Sequence, residues 1–308
     1  MKVGIIGAGQ VGSATAFALI MRGVAREVVL IDYNQKKAEA EALDITHATT
    51  FAYASKVYAG NYTDLKNADV VIITAGANQR PGETRIDLMS RNAAIFKSIV
   101  TPLMENAPDA IILVASNPVD IMTDYTLKLS GLPKNRVFGS GTILDTSRFR
   151  TLLGEHLGVS SKSIHANVLG EHGDSEVLIW SNGDAGTLPI ATLADDLKRP
   201  LTPEVKADID DNVRNAAYKI IEGKGATCFG IAGGLARICQ AVSTNENAIL
   251  TVSSFHEDVE GVKNVCLSLP TVVNKNGIER VIYPRLSEEE HVLLQASAQK
   301  LKDYSIQD

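Results

Sequence analysis

His172 lies between two glycines in the segment GEHGD at residues 170–174, where its ring has room and no obvious packing partner. An imidazole titrates near neutral pH, so a histidine in such a setting can donate or accept a proton during a reaction. An isolated histidine is more often structural, and its position alone does not decide between the two roles. Asp145 is a carboxylate that could orient the ring and stabilise its protonated form.

A glycine motif near the start of the chain predicts a dinucleotide cofactor. The turn GAGQVG at residues 7–12 stands between a predicted strand and a predicted helix, and the next strand ends in Asp32. Gly7 permits the tight turn, Gly9 lets N–H groups approach a pyrophosphate, and Gly12 lets the helix pack on its strand. Asp32 can bind a ribose diol and would repel a 2′-phosphate, which favours NAD over NADP. A tight strand–helix turn without a ligand is the simpler alternative.

Two arginines complete a set of groups suited to hydride transfer between a nicotinamide and a 2-hydroxy or 2-oxo carbon. Such a reaction needs a proton donor or acceptor at the oxygen, a cation that polarises the carbonyl, and a clamp for the substrate carboxylate. His172 suits the first role and Arg85 the second. Arg148 suits the third because its planar fork matches a carboxylate. The spacing of Asp145 and Arg148 on a predicted helix would also fit a surface ion pair.

Alternating strands and helices in the first half of the chain would position these groups. Apolar runs predict strands over 2–6, 27–31, 56–58, 70–73, 110–114 and 136–139, and helices over 13–21, 35–47, 86–106 and 119–129. This alternation specifies an α/β fold with a Rossmann doubly wound parallel sheet. Ligands bind at the carboxyl ends of the strands in such a sheet. Gly76 follows the predicted strand 70–73, and Asn117 follows the predicted strand 110–114.

The second half of the chain has a different pattern. Helices are predicted over 144–157, 201–221, 231–242 and 286–301, and strands over 164–169, 249–253, 265–270 and 277–282. These segments predict an α+β catalytic domain with a second, antiparallel sheet. We therefore expect an NAD-binding Rossmann domain at residues 1–142 and a substrate and catalytic domain at residues 143–308.

Composition excludes several classes of partner. The net charge of −6 gives no general attraction to nucleic acid or to an anionic membrane, and the longest apolar runs are too short to cross a bilayer. Three cysteines without a C-x-x-C pair suit a reducing cytosol, and the chain opens on a strand rather than a secretory signal. We expect a cytoplasmic protein. The histidines are scattered, so we expect no metal.

The motifs together resemble those of the L-lactate/malate dehydrogenase family over essentially the whole chain. They are Gly7–Gly12 with Asp32, Gly76–Arg85, Ser116–Asp120, Leu144–Arg150, Gly170–Asp174 and Gly225–Thr227. Their joint occurrence in this order is highly specific. The resemblance implies NAD-dependent oxidation of a 2-hydroxy acid, a loop over 76–91 that closes on the substrate, and a homo-oligomer, which we expect to be a tetramer.

The same resemblance assigns roles to individual residues. His172 is the acid/base, Asp145 its partner, Arg85 the loop arginine and Arg148 the carboxylate clamp. The implied substrate-binding residues are Gln79, Arg85, Asn117, Arg148 and Thr227. The implied cofactor-binding residues are Gly7, Gly9, Val11, Gly12, Asp32, Gly76, Ala77, Asn92 and Asn117.

Gln79 decides the substrate within this family. Malate dehydrogenases carry an arginine at the matching position, whereas a neutral side chain leaves the second carboxylate of oxaloacetate desolvated and unpaired, which costs several kcal/mol. Thr227 matches the residue that narrows the pocket of lactate dehydrogenases. We therefore expect pyruvate and L-lactate. Arg80, next to Gln79, keeps open a malate dehydrogenase or a broad 2-oxo-acid reductase, and an idle NAD-binding protein would not need the full catalytic set.

Arg150 and His165 match a second site of the family. In allosteric bacterial lactate dehydrogenases these positions bind fructose 1,6-bisphosphate between subunits of a tetramer, and an arginine with a histidine can hold a phosphate. The alternative is that Arg150 forms an interface ion pair and His165 packs as a strand residue. The chain begins at its first strand, without the N-terminal arm of animal lactate dehydrogenases, which favours the bacterial type.

Overall fold

The computed structural model of the chain describes residues 1–77 and 85–306, and for residues 85–88 it describes the backbone alone. Within the described ranges, no helix is long and apolar enough to cross a membrane.

The first half of the chain forms parallel strands connected by helices. The strands are β1 (Lys2–Ile6), β2 (Glu27–Ile31), β3 (Lys56–Ala59), β4 (Val70–Ile73), β5 (Ile111–Val114) and β6 (Val137–Gly139). The helices are α1 (Gln10–Met21), α2 (Gln35–Ala48), α3 (Arg85–Asn106) and α4 (Val119–Ser130). The strands lie in the order β3-β2-β1-β4-β5-β6, which is the doubly wound arrangement and confirms the predicted Rossmann sheet.

Continuous β-branched and leucine runs form the central strands because helices cover both faces of the sheet. Every residue of β4 and of β5 is buried. A run of this kind has no polar face to expose, so it fits a parallel sheet that is covered on both sides. The carboxyl ends of these two strands lead directly into Gly76 and Asn117.

The second half contributes further helices, one long hairpin and several short strands. The helices are α5 (Ile143–Leu157), α6 (Ile190–Asp196), α7 (Pro203–Lys224), α8 (Phe229–Ser243) and α9 (Glu288–Asp303). The short strands are β7 (Ile164–His165), β8 (Val168–Leu169), β9 (Val177–Leu178), β10 (Asp184–Ala185) and β11 (Leu188–Pro189), and the longer ones are β12 (Ala248–Val259), β13 (Val262–Asn274) and β14 (Gly277–Val281). Helix α6 and strands β9–β11 were not predicted.

The second half contains antiparallel sheets, as predicted: β7, β10 and β11 form one and β8 with β9 forms another. The longer strands β12–β14, however, do not form a sheet of their own. Ser253 of β12 pairs antiparallel with Gly139 of β6, so β12, β13 and β14 extend the parallel strands into one nine-stranded sheet within the described residues. Pairing with β12 covers the open edge that β6 would otherwise present. Both hairpin strands are longer than predicted because buried polar residues, such as His256, interrupt their apolar runs.

The strand predicted over 164–169 is wrong as a single strand. It divides into β7, which pairs with β10, and β8, which pairs with β9. Between them, the carbonyl oxygen of Ala166 and the Oδ1 of Asn167 accept hydrogen bonds from Arg150 of α5. At Ala166, a side chain from a helix therefore donates the hydrogen bond that a neighbouring strand could have donated.

The two halves of the chain share buried surface. Leu235 and Ala236 of α8 belong to the same hydrophobic cluster as Leu19 of α1 and Ile5 of β1. Helix α8 therefore covers the sheet of the first half, beside α1. The division between residues 142 and 143 stays a prediction.

Candidate active site

The glycine turn between β1 and α1 leaves an open space at the helix N-terminus. A Cβ on Gly7, whose φ is 111°, would lie 2.5 Å from the amide nitrogen of Ala75, and a Cβ on Gly12 would lie 1.9 Å from the carbonyl oxygen of Gly7. A Cβ on Gly9 would meet nothing within 4 Å. Gly9 caps α1 without a side-chain hydrogen bond. The first N–H groups of α1, including that of Val11, therefore suit an anionic pyrophosphate.

Asp32, immediately after β2, is held against this turn. Its Oδ2 accepts a hydrogen bond from the backbone N–H of Ala8 at 2.8 Å, and its Oδ1 accepts one from the N–H of Asn34 at 2.9 Å. The carboxylate is therefore fixed next to the pyrophosphate position, where a ribose diol can reach it. The glycine turn and Asp32 together fit an NAD molecule.

Asn92 of α3 connects the segments that follow β4 and β5. Its Oδ1 accepts a hydrogen bond from the N–H of Ala77 at 2.8 Å, and its Nδ2 donates to the carbonyl oxygen of Asn117 at 3.1 Å. The side chain is completely buried, so in this structure Asn92 positions Ala77 and Asn117. Asn117 is exposed, and Gly76 beside it would have a Cβ 3.4 Å from that of Ser116. Direct contact of Asn92 with the cofactor stays a prediction.

His172, Asp145 and Arg148 are brought together by the fold. The Nδ1 of His172 lies 2.5 Å from the Oδ2 of Asp145, and an Nη of Arg148 donates to the Oδ1 of the same carboxylate at 2.8 Å. The side chains of Asp145 and Arg148 are 2% and 13% exposed, so they do not form the surface ion pair that their spacing also allowed. One helix, α5, therefore supplies both a partner for the histidine and a guanidinium beside it.

This arrangement favours a charged imidazole. Burial opposes the charge on His172, but the adjacent Asp145 carboxylate outweighs burial and raises the pKa of the histidine to about 9. Burial would likewise raise the pKa of Asp145, yet His172 and Arg148 hold it below its usual value. Because Nδ1 is bonded to Asp145, Nε2 is the nitrogen left for a substrate. The His172 side chain is 25% exposed, which leaves this nitrogen access to a ligand.

Two further carboxyl groups near His172 were given no role by the sequence. Asp120 of α4 accepts a hydrogen bond from the backbone N–H of His172 at 2.8 Å, and burial raises its pKa to about 6. Glu176 is 4% exposed, and burial raises its pKa to about 8. Asp120 belongs to a motif already noted. The sequence marks Glu176 only as an acidic residue immediately before the apolar residues 177–179.

Glu176, Asp145 and His172 also have the composition of a metal site. One ligand atom from each lies within 4.8 Å of the others. However, both oxygens of Asp145 already accept hydrogen bonds, and the positive charge of Arg148 opposes a cation beside them. The absence of a metal stays a prediction.

Several predicted residues are not part of this described cluster. Gln79 and Arg80 lie outside the described residues, together with the rest of residues 78–84 of the loop over 76–91. Arg85 is the first residue of α3, and its side chain is not described. Thr227 lies, partly buried, in the turn between α7 and α8.

Arg150 and His165 lie in one neighbourhood on the other side of α5. The Nε of Arg150 donates to the carbonyl oxygen of Ala166 at 2.7 Å, next in the chain to the exposed His165. A cavity of about 410 Å³ beside Arg150 is also lined by Lys162 and Arg237. The region is therefore rich in groups that can bind anions, although Arg150 already has protein partners.

Comparison with known proteins identifies related chains over the full length. A family described as the lactate/malate dehydrogenase NAD-binding domain matches residues 1–139, and the lactate/malate dehydrogenase alpha/beta C-terminal domain matches residues 142–307. The chain is 55% identical to an L-lactate dehydrogenase of Thermus aquaticus, covering 98% of this chain and 97% of the relative. It is 53% identical to an L-lactate dehydrogenase of Allorhizobium ampelinum, covering 99% of each.

Solved structures give the same result for the fold. The minor L-lactate dehydrogenase of Enterococcus mundtii, in its ligands-bound form, has a TM-score of 0.94 and 42% identity, covering 98% of this chain and 96% of that one. A lactate dehydrogenase from a Medee basin deep-sea metagenome library has a TM-score of 0.95 at 42% identity, with the same coverage.

Proposed function

The chain belongs to the lactate/malate dehydrogenase family, and we propose that it is an NAD-dependent enzyme that reversibly reduces pyruvate to L-lactate. The observation that carries this proposal is the shared carboxylate of Asp145, which places a protonated His172 and the Arg148 guanidinium side by side. His172 supplies a proton and Arg148 binds a carboxylate. These are the two functions, besides that of the cofactor, that reduction of a 2-oxo acid requires.

His172 acts as the general acid in the direction of pyruvate reduction. When bound, NADH supplies a hydride to the carbonyl carbon of pyruvate. The Nε2 of His172 donates its proton to the carbonyl oxygen, and Asp145 holds the ring in place through Nδ1 without itself taking up the proton. In lactate oxidation the neutral ring accepts the proton back at the same nitrogen.

Arg148 and Arg85 prepare the substrate for this step. The guanidinium of Arg148 uses one nitrogen on Asp145, and its remaining N–H groups can form a bidentate pair with the pyruvate carboxylate. Arg85, at the start of α3, polarises the carbonyl when the loop over 76–91 closes. Closure excludes water, which strengthens both charge interactions.

Gln79 selects pyruvate over oxaloacetate in this proposal. A closed site without a cation opposite the second carboxylate would leave that charge desolvated, at a cost of several kcal/mol. The methyl group of pyruvate has no such cost, and Thr227 narrows the space around it. A malate dehydrogenase or a broad 2-oxo-acid reductase is the alternative, in which Arg80 would provide the missing cation.

NADH oxidation with pyruvate and with oxaloacetate tests the substrate directly. We expect kcat/KM to be at least about 100-fold higher for pyruvate, as an unpaired buried carboxylate would cause. Gln79→Arg should move the preference towards oxaloacetate, and Arg80→Gln, one position away, should leave it with pyruvate. Preference of the unaltered enzyme for oxaloacetate would contradict the proposed substrate, and a lost pyruvate preference in Arg80→Gln would contradict Gln79 as the selector.

We also propose that the enzyme is a tetramer in which Arg150 and His165 bind a phosphate group of fructose 1,6-bisphosphate. The proximity of Arg150 to the residue that follows His165, and the exposure of His165, support this site. The effector should lower the half-saturating pyruvate concentration, and Arg150→Gln should abolish the response. A half-saturating concentration that stays constant during titration would disprove activation, and a dimer in sedimentation experiments would disprove the assembly.

A further inference from the structure

Glu176 is a buried carboxyl group that the reaction described so far does not use. It lies between β8 and β9, four residues after His172, and is 4% exposed. Its Oε1 has no hydrogen-bond partner among the described residues. An unpartnered buried carboxyl group costs free energy, so its presence calls for a reason beyond packing.

Glu290 shows what a structural buried glutamate looks like in this fold. It is 5% exposed, and its Oε1 accepts hydrogen bonds from the N–H groups of Trp180 and Ser181 at 2.9 and 3.0 Å, while its Oε2 accepts one from the N–H of Ser287 at 2.8 Å. These bonds fasten the N-terminus of α9 to the segment after β9. Glu176 is equally buried, but its Oε1 has no such partner. We therefore look for the role of Glu176 in its charge rather than in structural hydrogen bonds.

The groups that face Glu176 belong to the site of proton transfer. A carboxylate oxygen of Glu176 lies within 4.8 Å of ligand atoms of both Asp145 and His172. Arg148 of α5 and Arg214 of α7 also act on its charge, and Arg214 is itself engaged by Asp210 and by the carbonyl oxygen of Asp174.

A third carboxyl group near the histidine, that of Asp120, lies on α4. Asp120 accepts the backbone N–H of His172 through its Oδ2. Asp145, Glu176 and Asp120 therefore all act on His172, and of these three only Asp145 is bonded to its ring.

We propose that Glu176 is a positioning residue for the proton of His172, a carboxyl group whose negative charge keeps the imidazole protonated under alkaline conditions. It acts through space on the His172–Asp145 pair and does not touch the substrate. The consequence is that reduction of pyruvate persists to a higher pH than Asp145 alone would allow. This inference rests on the proposed function.

The directions of the two pKa shifts are consistent with this role. Burial raises the pKa of Glu176 to about 8, and the pKa of His172 is raised to about 9 despite burial, with Asp145 the main cause. At neutral pH Glu176 is mostly protonated and neutral, so it affects His172 little. As the pH rises through the raised pKa of Glu176 its charge appears, and that charge opposes loss of the histidine proton. Glu176 should therefore affect the alkaline limb of the activity profile and leave the neutral range unchanged.

The experiment compares pH profiles of kcat/KM for pyruvate in the full-length enzyme. Glu176→Gln removes the charge and keeps the shape, and Glu176→Met removes it without a buried amide to satisfy. Both should match the unaltered enzyme within about twofold at pH 6.5. At pH 10 both should be about 3- to 10-fold slower, as a downward shift of about 0.5 to 1 unit in the controlling pKa produces above that pKa.

Two further variants separate charge from packing. Glu155→Gln removes the same charge at an exposed position of α5, and its profile should superimpose on that of the unaltered enzyme. Glu176→Asp keeps the charge but leaves a gap, so it should restore at least part of the alkaline activity. If Glu176 acted only by packing, Glu176→Asp would have lower alkaline activity than Glu176→Gln and Glu176→Met.

The outcomes distinguish this inference from the proposed function. Superimposed profiles for the unaltered enzyme and both neutral variants would overturn the role of Glu176, as would a loss of equal size at every pH. Absence of pyruvate reduction by the unaltered enzyme would instead overturn the proposed function, since that measurement involves no change at Glu176.

Discussion

His172 and Arg148 donate hydrogen bonds to opposite oxygens of one buried carboxylate, that of Asp145. The group that would move a proton and the group that would bind the substrate carboxylate therefore depend on the same side chain for their position. An anion bound at Arg148 adds negative charge next to the histidine, which favours its protonated form. Binding of the substrate and readiness of the acid are thus linked through a single residue of α5.

Asp145→Asn should lower kcat/KM for pyruvate by about 100- to 10,000-fold, because an amide neither stabilises the imidazolium nor fixes the same tautomer of the ring. Steady-state kinetics with NADH measures the effect. Asp124→Asn on α4, which removes a carboxylate paired with Lys128 at 2.9 Å, is a matched control and should change kcat/KM by less than about threefold. A loss of similar size in both variants would show that Asp145 has no special role.

Arg148→Lys should raise the KM for pyruvate by about 100-fold, because an ammonium cannot form the bidentate pair and is poorly placed to reach Asp145 as well. The dissociation constant of NADH should be almost unchanged, since we expect the cofactor to bind at the glycine turn and Asp32, away from Arg148. Saturation curves for pyruvate and for NADH test both statements. A normal KM for pyruvate would remove Arg148 from the carboxylate site.

The pH dependence should have opposite signs in the two directions of the reaction. His172, whose pKa is raised to about 9, must be protonated to donate to pyruvate, so kcat/KM for pyruvate should be constant below that value and fall tenfold per pH unit above it. Lactate oxidation requires the neutral ring and should rise with pH up to the same value. Pyruvate profiles measured with NADH from pH 6 to 10.5 that stay flat would contradict the acid role.

Asp32→Ser should weaken the preference for NADH over NADPH. The carboxylate, held by the N–H groups of Ala8 and Asn34, repels a 2′-phosphate, and a serine hydroxyl does not. We expect kcat/KM for NADH to fall about tenfold, because the ribose loses a charged hydrogen-bond partner. We expect kcat/KM for NADPH to rise, because the repulsion of the 2′-phosphate is removed. As a control, Asp44→Ser on the exposed face of α2 should change kcat/KM for neither NADH nor NADPH. An unchanged cofactor ratio in Asp32→Ser would exclude Asp32 as the discriminating residue.

His256 should make the protein sensitive to mild acid. Burial lowers the pKa of this β12 histidine from 6.5 to about 4, so between these values the unfolded chain takes up a proton that the folded chain refuses. The free energy of unfolding should therefore fall as the pH drops below 6.5, by about 2 kcal/mol at pH 5 from this residue. In His256→Gln this part of the loss between pH 7 and pH 5 should be missing. Urea unfolding at the two pH values gives the difference, and equal losses in both proteins would refute the assignment.

The sequence by itself determined the local architecture of the first half. The bounds of β1, β2 and β4 agree with their predicted ranges. Each is mainly apolar, with the sequences KVGII, EVVLI and VVII, and is followed by a glycine, an aspartate or a threonine, so the signal for the strand is contained in the strand and the residue after it. The glycine turn was equally readable, because its spacing between a strand and a helix is a local pattern, and the structure shows that a Cβ at Gly7 would meet Ala75 and one at Gly12 the carbonyl oxygen of Gly7.

Only the tertiary structure decided which distant groups meet. The segment 164–169 is split because its two parts pair with different strands, β10 and β9, and the union of β12 with β6 depends on the edge that the first half leaves open. Glu176 could be seen in the sequence only as an acid before an apolar run, because its proximity to Asp145 arises from the packing of separate elements. Periodicity is a property of neighbouring residues, whereas burial and the pKa of a buried group depend on everything that packs around it.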